Sequence, residues 1–409
     1  MDGHSRGYRL PGECHGALVF AGTVERAEGV TPGRASSPVE EVERAKGIIV
    51  LTPGERESRI KSQISSLHKR LRFKEVFMAG MSKKERVQAA LQGQEVDRPP
   101  VSFWRHFFEK ETSAEGLAEA MLTFQQRFDW DFMKVNPRAC YHVEDWGCRF
   151  RFSGDPHTAP VLLEPAVRTV QDWEKITVLP PDQGALGEQL QALKLIKEGL
   201  QDEIYFLETI FTPLSIAGRL IGSEAAMKEQ MQNHPEAVHA ALERITETYR
   251  RFARACLEVG ASGIFFATTA WASYELLTDA EYAEFGRPYD LKVLEAVQDA
   301  EFNLLHVCRS RNMLYRLADY PVHAINWASR DPSNPSLREG KAHCTQAVVG
   351  GIDHRKTLLK GSVEEVVAQA REAKAQTEGI RWILAGECSI PTRTPERNLT
   401  ALREAVEKL

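Results

Sequence analysis

Two potential metal-binding side chains stand together at the end of one short apolar run, Asn303 to Cys308. His306 and Cys308 are two positions apart, so on a β-strand they would project from the same face. Imidazole nitrogen and thiolate sulfur are both good ligands for a borderline-soft metal such as zinc. Cys388 follows a second apolar run, Trp382 to Ala385, and would supply a third ligand if the two runs lie close together. Three protein ligands with one open position are typical of a catalytic zinc site.

The His306–Cys308 pair taken alone is weaker evidence, because a histidine in a buried strand is more often a hydrogen-bonded core residue than a ligand. Cys388 at a second strand end is what turns the pattern into a predicted metal site. Water, substrate or a carboxylate would fill the fourth position. Glu275 is one carboxylate candidate, and the sequence does not rank it against the two others, Glu208 and Glu387.

Other polar side chains that follow predicted strands are candidates for substrate binding. Arg105 and His106 come directly after the first strand and could hold an anionic substrate, although surface solvation explains them almost as well. The loop of residues 136–147 is dense in ionisable groups, among them Arg138 and His142, and would form a binding wall. Two further candidates stand at the ends of later strands, Asn326 and Asp353.

Apolar strands alternate with amphipathic helices from residue 82 onward, which favours a parallel sheet with crossover helices. Residues 81–409 suit an eight-stranded (β/α)8 TIM barrel that forms a single catalytic domain. A doubly wound open sheet is the second choice, but no glycine-rich dinucleotide or phosphate loop favours it. The predicted strands are Pro99–Trp104, Asp131–Val135, Tyr205–Phe211, Gly263–Ala267, Asn303–Cys308, Ala324–Trp327, Gln346–Ile352 and Trp382–Ala385.

The barrel would explain how the separate candidates meet, because catalytic groups lie at the C-terminal ends of barrel strands. His306, Cys308 and Cys388 all fall at such ends. Two local expectations accompany this fold. Thr278 and Glu281 form a capping box for one helix running to about Asp299, and residues 148–200 lack a regular pattern before a helix at 186–200.

Residues 1–80 differ from the remainder in being rich in Gly, Pro, Ser and Arg, with weak apolar periodicity. We expect a mostly disordered N-terminal extension. The alternative is that translation begins at Met81, where the sequence reads like a natural start.

The composition excludes several classes of protein. Hydrophobic residues make up 43% and charged residues 27% of the chain, as in soluble globular proteins. The net charge of -5, without a dense basic block, argues against nucleic acid as the main partner. The chain has no apolar run long enough for a membrane span. Its seven scattered cysteines suit a reducing cytoplasm better than a disulfide framework.

Nearly all of residues 82–409 resembles the uroporphyrinogen decarboxylase superfamily, a barrel family that also contains zinc-dependent, corrinoid-linked methyltransferases. No single segment carries the resemblance, but several in order do. These segments are Ser82–Pro100, Phe211–Gly218, Ala272–Tyr289, Ala324–Trp327, Val348–Asp353 and Ile383–Ala401.

Three departures separate this chain from true decarboxylases. The decarboxylases carry Arg-Gln-Ala-Gly-Arg after the first strand, where this chain has Phe103–Phe107. They place an essential aspartate after the second strand, where this chain has Pro137-Arg138. They have histidine in a Gly-His-Gly context near the C-terminus, where this chain has Gly386-Glu387-Cys388.

The methyltransferase branch is similar in the features that remain, which implies that His306, Cys308 and Cys388 are zinc ligands. The resemblance then implies an enzyme that moves a methyl group between a corrinoid protein and a small thiol such as coenzyme M or homocysteine. The alternatives are a uroporphyrinogen decarboxylase, with Arg105 and Arg138 holding the anionic side chains of a tetrapyrrole, and a non-catalytic corrinoid- or porphyrin-binding barrel. Relatives in the superfamily often form homodimers.

Overall fold

The computed structural model describes residues 80–409, so the expectation for the N-terminal extension falls almost entirely outside the described residues. Eight parallel strands form one sheet in the order β1-β10-β9-β8-β7-β6-β5-β2, which confirms the predicted barrel. The strands of this sheet are β1 (Val101–Ser102), β2 (Phe132–Lys134), β5 (Tyr205–Phe211), β6 (Gly263–Ala267), β7 (Leu304–Val307), β8 (Ala324–Trp327), β9 (Ala347–Ile352) and β10 (Trp382–Gly386).

The barrel closes between its first two strands through the buried carboxylate of Asp131. Its oxygens accept hydrogen bonds from Arg86 at 2.7 Å, from Arg98 at 2.7 Å and from the Val101 backbone N–H at 2.8 Å. The Asp131 N–H also donates to the Val101 carbonyl, and the Ser102 hydroxyl donates to the Phe132 carbonyl at 2.7 Å. Side chains therefore complete a junction that two short strands would leave open.

Helices follow most of the strands and surround the sheet. Capping boxes begin two of them, the predicted one at Thr278 with Glu281 and another at Ser362 with Glu365, and Pro213 opens a third helix. The α-helices are α1 (Lys83–Leu91), α2 (Ala114–Phe128), α3 (Tyr141–Glu144), α4 (Gly184–Leu200), α5 (Pro213–Ile221), α6 (Glu224–Asn233), α7 (Pro235–Glu258), α8 (Asp279–Phe285), α9 (Arg287–Glu295), α10 (Leu337–His343), α11 (Thr357–Lys360), α12 (Val363–Thr377) and α13 (Glu396–Ala405). Short 3₁₀ turns lie at Val170–Lys175, Leu314–Arg316 and Val406–Lys408.

The helix expected from Thr278 to Asp299 is in fact two helices that meet at Gly286. Pro288 lies in the first turn of the second helix, where its missing N–H is tolerated, but it could not continue the hydrogen-bond ladder of the first. The prediction of one continuous helix was therefore wrong.

Residues 148–200 contain a β-hairpin that the sequence did not reveal. Strand β3 (Arg149–Arg151) pairs antiparallel with β4 (Val161–Glu164), outside the barrel sheet. Strand β3 has only three residues, so its Arg-Phe-Arg alternation is too short to indicate a strand. Phe150 and Leu162 line the main cavity of the barrel, whereas Leu163 is 53% exposed. The hairpin therefore forms part of the wall of that cavity.

The core is built from the inward faces of the strands and the buried faces of the helices. Phe132, Tyr205 and Phe302 meet inside the barrel, with centroids 5.2 Å apart for Phe132–Phe302 and 6.2 Å apart for Tyr205–Phe302. Of the helices in residues 80–409, none is both long and apolar enough to cross a bilayer.

Candidate metal centre

The structure brings the three predicted ligands together. One ligand atom from each of His306, Cys308 and Cys388 lies within 4.8 Å of the other two. The Cys388 Sγ and His306 Nε2 atoms are 3.5 Å apart, and ligands on one tetrahedral zinc ion lie about 3.3–3.8 Å from each other. His306 occupies β7, Cys308 follows it directly, and Cys388 lies two residues beyond β10. One imidazole nitrogen and two sulfurs therefore form a donor set that fits zinc.

Asn326 on the neighbouring strand β8 determines which ring nitrogen of His306 is available. The Asn326 amide NH2 donates to the carbonyls of Val349 at 2.7 Å and Gly386 at 3.1 Å, so its Oδ1 must be the atom that meets the ring. His306 Nδ1 therefore donates to Asn326 Oδ1 at 2.6 Å. This leaves the lone pair of Nε2 facing Cys388, which is the arrangement of a metal ligand oriented by a hydrogen-bonded neighbour.

The turn that carries Cys308 is held in an uncommon conformation. Arg309 follows it with φ +73°, in the left-handed region that non-glycine residues seldom adopt. The Asn334 side chain, from the loop after β8, donates to the Arg309 carbonyl at 2.9 Å and to the Ala328 carbonyl at 3.0 Å. The loop carrying Cys308 is thus fixed to its neighbour, as a preorganised metal site requires.

The two thiols influence each other strongly. Interaction with Cys308 lowers the pKa of Cys388 well below its ordinary value, and the nearby His306 adds to the effect. The same interaction raises the pKa of Cys308, assisted by burial. The pair therefore favours one thiolate and one thiol in the absence of a cation, and a bound divalent cation would favour two thiolates.

A cavity of about 570 Å³ opens beside the triad, within the range of about 300–1,000 Å³ usual for small-molecule sites. His306, Cys308 and Cys388 form part of its wall. Its apolar walls come from strands, helices and the hairpin, and include Trp104, Phe150, Leu162, Phe211, Phe265 and Trp271. An apolar cavity with a few polar groups beside a ligand set is the usual form of an enzyme site.

Lys134 is a cavity residue that the sequence reasoning missed. It lies on β2, fully enclosed by protein, with its ammonium group 4.8 Å from the centre of the Phe265 ring, which itself stacks on His306. Burial lowers the pKa of Lys134 to about 8, opposed by the charges of Cys388 and Glu208. The available signal was a lysine in the middle of an apolar strand, because lysine is seldom fully buried without a role.

Two predicted substrate-binding histidines do line the cavity. His106 Nδ1 contacts the buried Glu111 carboxylate at 3.0 Å, and the ring stacks on Phe108. His142 donates from Nδ1 to the Ala139 carbonyl at 3.1 Å and accepts the Phe211 N–H at Nε2 at 3.0 Å. Burial lowers the pKa of His142 well below its ordinary value. His142 is therefore a neutral residue with both ring nitrogens engaged, and its ring stacks on Phe211 with the centroids 3.9 Å apart.

The other predicted substrate-binding residues do not line this cavity. Arg138 pairs with Glu144 at 2.9 Å and also with Glu188, so its guanidinium is fully engaged. Arg105 donates to the Thr392 carbonyl at 3.0 Å and stacks against aromatic rings. Asp353 accepts the backbone N–H groups of the turn that follows it. Asn326 accepts a hydrogen bond from His306 and does not line the cavity. The prediction that these four residues contact substrate has no support in the geometry.

None of the carboxylate candidates for the fourth ligand joins the triad among the described residues. Glu275 is partly exposed and lies 4.0 Å from Arg309. Glu387 accepts hydrogen bonds from the Ser329 hydroxyl and the Arg330 N–H, which connect two loops at the rim. Glu208 is buried on β5, and burial raises its pKa to about 8. The geometry leaves the fourth position to water or substrate.

A parallel barrel that carries one histidine and two cysteines together at the C-terminal ends of its strands defines the class of protein. The family described as "Uroporphyrinogen decarboxylase (URO-D)" matches residues 82–409. The chain belongs to this family.

Relatives in the family divide between two activities. A "Methylcobamide:CoM methyltransferase MtbA" of Methanosarcina mazei is 25% identical over 349 residues, covering 81% of this chain and 99% of that protein. A "Uroporphyrinogen decarboxylase" of Syntrophotalea carbinolica is 26% identical over 230 residues, covering 54% of this chain and 64% of that protein. A solved "methyltransferase from Methanosarcina mazei" superposes with a TM-score of 0.70 at 24% identity, over 80% of this chain and 98% of the other, and shares the fold.

Proposed function

We propose that this protein is a zinc-thiolate methyltransferase that moves a methyl group from a corrinoid protein to a small thiol. The observation that carries the proposal is the His306–Cys308–Cys388 group, with no carboxylate of the described residues completing it, on the wall of a cavity of small-molecule size. Full-length similarity to enzymes named as methylcobamide:CoM methyltransferases supports the same reaction class.

His306, Cys308 and Cys388 would hold the zinc ion. When bound, zinc would take the acceptor thiol in its open position and lower the pKa of that thiol, so that it reacts as a thiolate at neutral pH. The hydrogen bond from His306 to Asn326 Oδ1 keeps Nε2 directed at the site throughout. The apolar cavity wall orients the thiol and keeps water from its sulfur.

Methyl transfer would be a single displacement at the methyl carbon. The acceptor thiol loses its proton to solvent when it binds, and its sulfur then attacks the methyl carbon of the methylated corrinoid. The new sulfur–carbon bond forms as the cobalt–carbon bond breaks, and the electron pair of that bond remains on cobalt. The cavity of about 570 Å³ accommodates a small thiol, so we assign the much larger corrinoid to a partner protein that presents it at the mouth.

The test is methyl transfer by the purified full chain. Methylcobalamin would serve as the donor, with coenzyme M and homocysteine compared as acceptors. We expect the methylcobalamin absorbance to fall as the S-methyl product appears by mass spectrometry, at a rate proportional to protein concentration. Demethylation at the rate of a protein-free control, with both thiols, would contradict the proposal.

The tetrapyrrole decarboxylase alternative has less support. It relied on Arg105 and Arg138 to hold anionic side chains, but both are engaged by protein groups away from the cavity. Incubation with uroporphyrinogen should therefore release no carbon dioxide above background. The non-catalytic alternative predicts tight corrinoid or porphyrin binding without turnover, unchanged in Cys388→Ala, and the same experiments distinguish it. A homodimer and a cytoplasmic location remain predictions.

A further inference from the structure

One cationic side chain on the cavity wall, that of Arg219, has no hydrogen-bonding or anionic partner among the described residues. Arg219 lies on α5 and is half-buried on the cavity wall, with its guanidinium group 4.7 Å from the centre of the Phe211 ring. No carboxylate or carbonyl among residues 80–409 accepts a hydrogen bond from it. Burial lowers the pKa of Arg219, with only Cys140 opposing the effect. A half-buried guanidinium on a cavity wall that has no protein partner is available to bind an anionic ligand.

The remainder of the cavity does not neutralise this charge. Glu224 is the only acidic residue on the described wall, and it pairs with Arg309. Lys134 adds a second cation, which bonds to Asn136 and lies near the metal site, over Phe265. A guanidinium presents parallel N–H donors that match the two oxygens of a carboxylate, sulfonate or phosphate. The cavity is therefore suited to a ligand that carries an anionic group.

We propose that Arg219 is a specificity-determining residue that binds the anionic group of the methyl acceptor, so that the acceptor is a thiol bearing a carboxylate or sulfonate. The thiol end of this assignment rests on the proposed function, whereas the anion end rests on Arg219 alone. The neighbouring Gly218 gives the site a firm wall, because the Trp271 ring lies 2.5 Å from where a Cβ at Gly218 would stand.

The test is equilibrium binding of three probes that share a two-carbon chain to the full-length protein, measured by calorimetry. Coenzyme M carries thiol and sulfonate, 2-mercaptoethanol carries thiol without charge, and ethanesulfonate carries charge without thiol. We expect coenzyme M to bind at least about tenfold more tightly than 2-mercaptoethanol, as a charge-assisted hydrogen bond predicts. In Arg219→Gln this ratio should fall to within about threefold of one, and Arg219→Lys should restore part of it.

The control is Arg309→Gln, which removes a cation from the same cavity wall that already has carboxylate partners. It should retain most of the preference for coenzyme M. Equal losses in Arg309→Gln and Arg219→Gln would overturn the assignment, because a general positive field would then explain binding. Thermal melting supplies a second readout: Arg219→Gln should be at least as stable as the wild type, whereas a structural role predicts a lower melting temperature.

The outcomes separate this inference from the proposed function. If wild-type protein binds both thiols equally, the role of Arg219 is refuted and thiol chemistry stands. If it binds ethanesulfonate as tightly as coenzyme M, and Arg219→Gln abolishes both, the anion site stands and the thiol assignment fails. In Cys388→Ala, both thiols should bind more weakly, while binding of ethanesulfonate stays unchanged.

Discussion

Two sets of polar residues follow barrel strands in this protein, and only one of them is free to do chemistry. After β7 and β10, the ligand atoms of His306, Cys308 and Cys388 converge on the cavity. After β1 and β2, Arg105 and Arg138 turn to protein carbonyls and carboxylates instead. Both sets occupy the positions where barrel enzymes carry their catalytic groups. A position at the end of a barrel strand therefore makes a residue a candidate for catalysis or substrate binding. Whether it has that role depends on whether its polar atoms are free of protein partners.

The same contrast distinguishes two arginines, Arg138 and Arg219. Arg138 has Glu144 and Glu188 as partners and serves the structure, whereas Arg219 has none among the described residues and lines the cavity. The difference lies in the neighbours that each guanidinium meets in space. Substitutions in the two sets of residues should therefore have different effects on activity and stability.

Removing a thiol from the triad should have the largest effect. Cys308→Ser and Cys388→Ser should each reduce methyl transfer to background, because a hydroxyl is a poor replacement for a thiolate ligand. The zinc content of each variant should fall in parallel. Cys344→Ser is the control, since Cys344 is buried away from the cavity and the triad, and it should keep both properties. If Cys388→Ser kept both its zinc and its activity, the assignment of the triad as a catalytic zinc site would be contradicted.

Arg138→Met should destabilise the fold without altering the site. Breaking a buried ion pair from one side leaves carboxylates uncompensated, which costs about 3–5 kcal/mol in the free energy of unfolding. Chemical denaturation measures that cost. Affinity for coenzyme M in the remaining folded protein should be unchanged, and a clear loss of affinity would return Arg138 to the list of substrate-binding residues.

Asn326→Ala should weaken zinc binding by about 10–100-fold, because the partner that orients a ligating histidine contributes on that scale. Competition with a chromogenic chelator measures the change. Asn303→Ala is a matched control, as Asn303 is a buried asparagine directly before β7, the strand that carries His306, and is bonded to Val297 and Ile264. The control should lose stability and keep its zinc affinity. Equal zinc affinities in the two variants would show that Asn326 does not position His306.

Arg105→Met should have the smallest effect. It removes one hydrogen bond to the Thr392 carbonyl and keeps the aliphatic stem against the neighbouring rings, so we expect a loss of about 1–2 kcal/mol of stability. Steady-state kinetics should show an unchanged KM for the thiol. A rise in KM of tenfold or more would instead indicate contact with substrate.

Strand pattern and residue types were sufficient to predict the barrel and to predict that His306, Cys308 and Cys388 would lie together. The apolar runs that end at His306 and Cys388 are buried over their whole length, and parallel strands in a closed sheet must bring their ends to one rim. Those predictions required only local pattern and fold class.

What could not be predicted depends on contacts across the molecule. Arg138 reads as a substrate-binding cation after a strand, and only the positions of Glu144 and Glu188 show that it is engaged by protein. Arg219 lies within α5, where the sequence gives no sign that its side chain faces the cavity. The hairpin beside the cavity could not be recognised because its first strand has only three residues. The role of Asn326 required its pairing register with His306, since adjacent residues on neighbouring strands cannot be read from a single chain segment.

Metal content measured together with activity tests directly whether His306, Cys308 and Cys388 hold a catalytic zinc ion. The purified full chain should contain about one zinc ion per chain. Removal of zinc by a chelator should abolish methyl transfer to the thiol, and restoring about one equivalent should recover it. A zinc-free protein with full methyl-transfer activity would contradict the account.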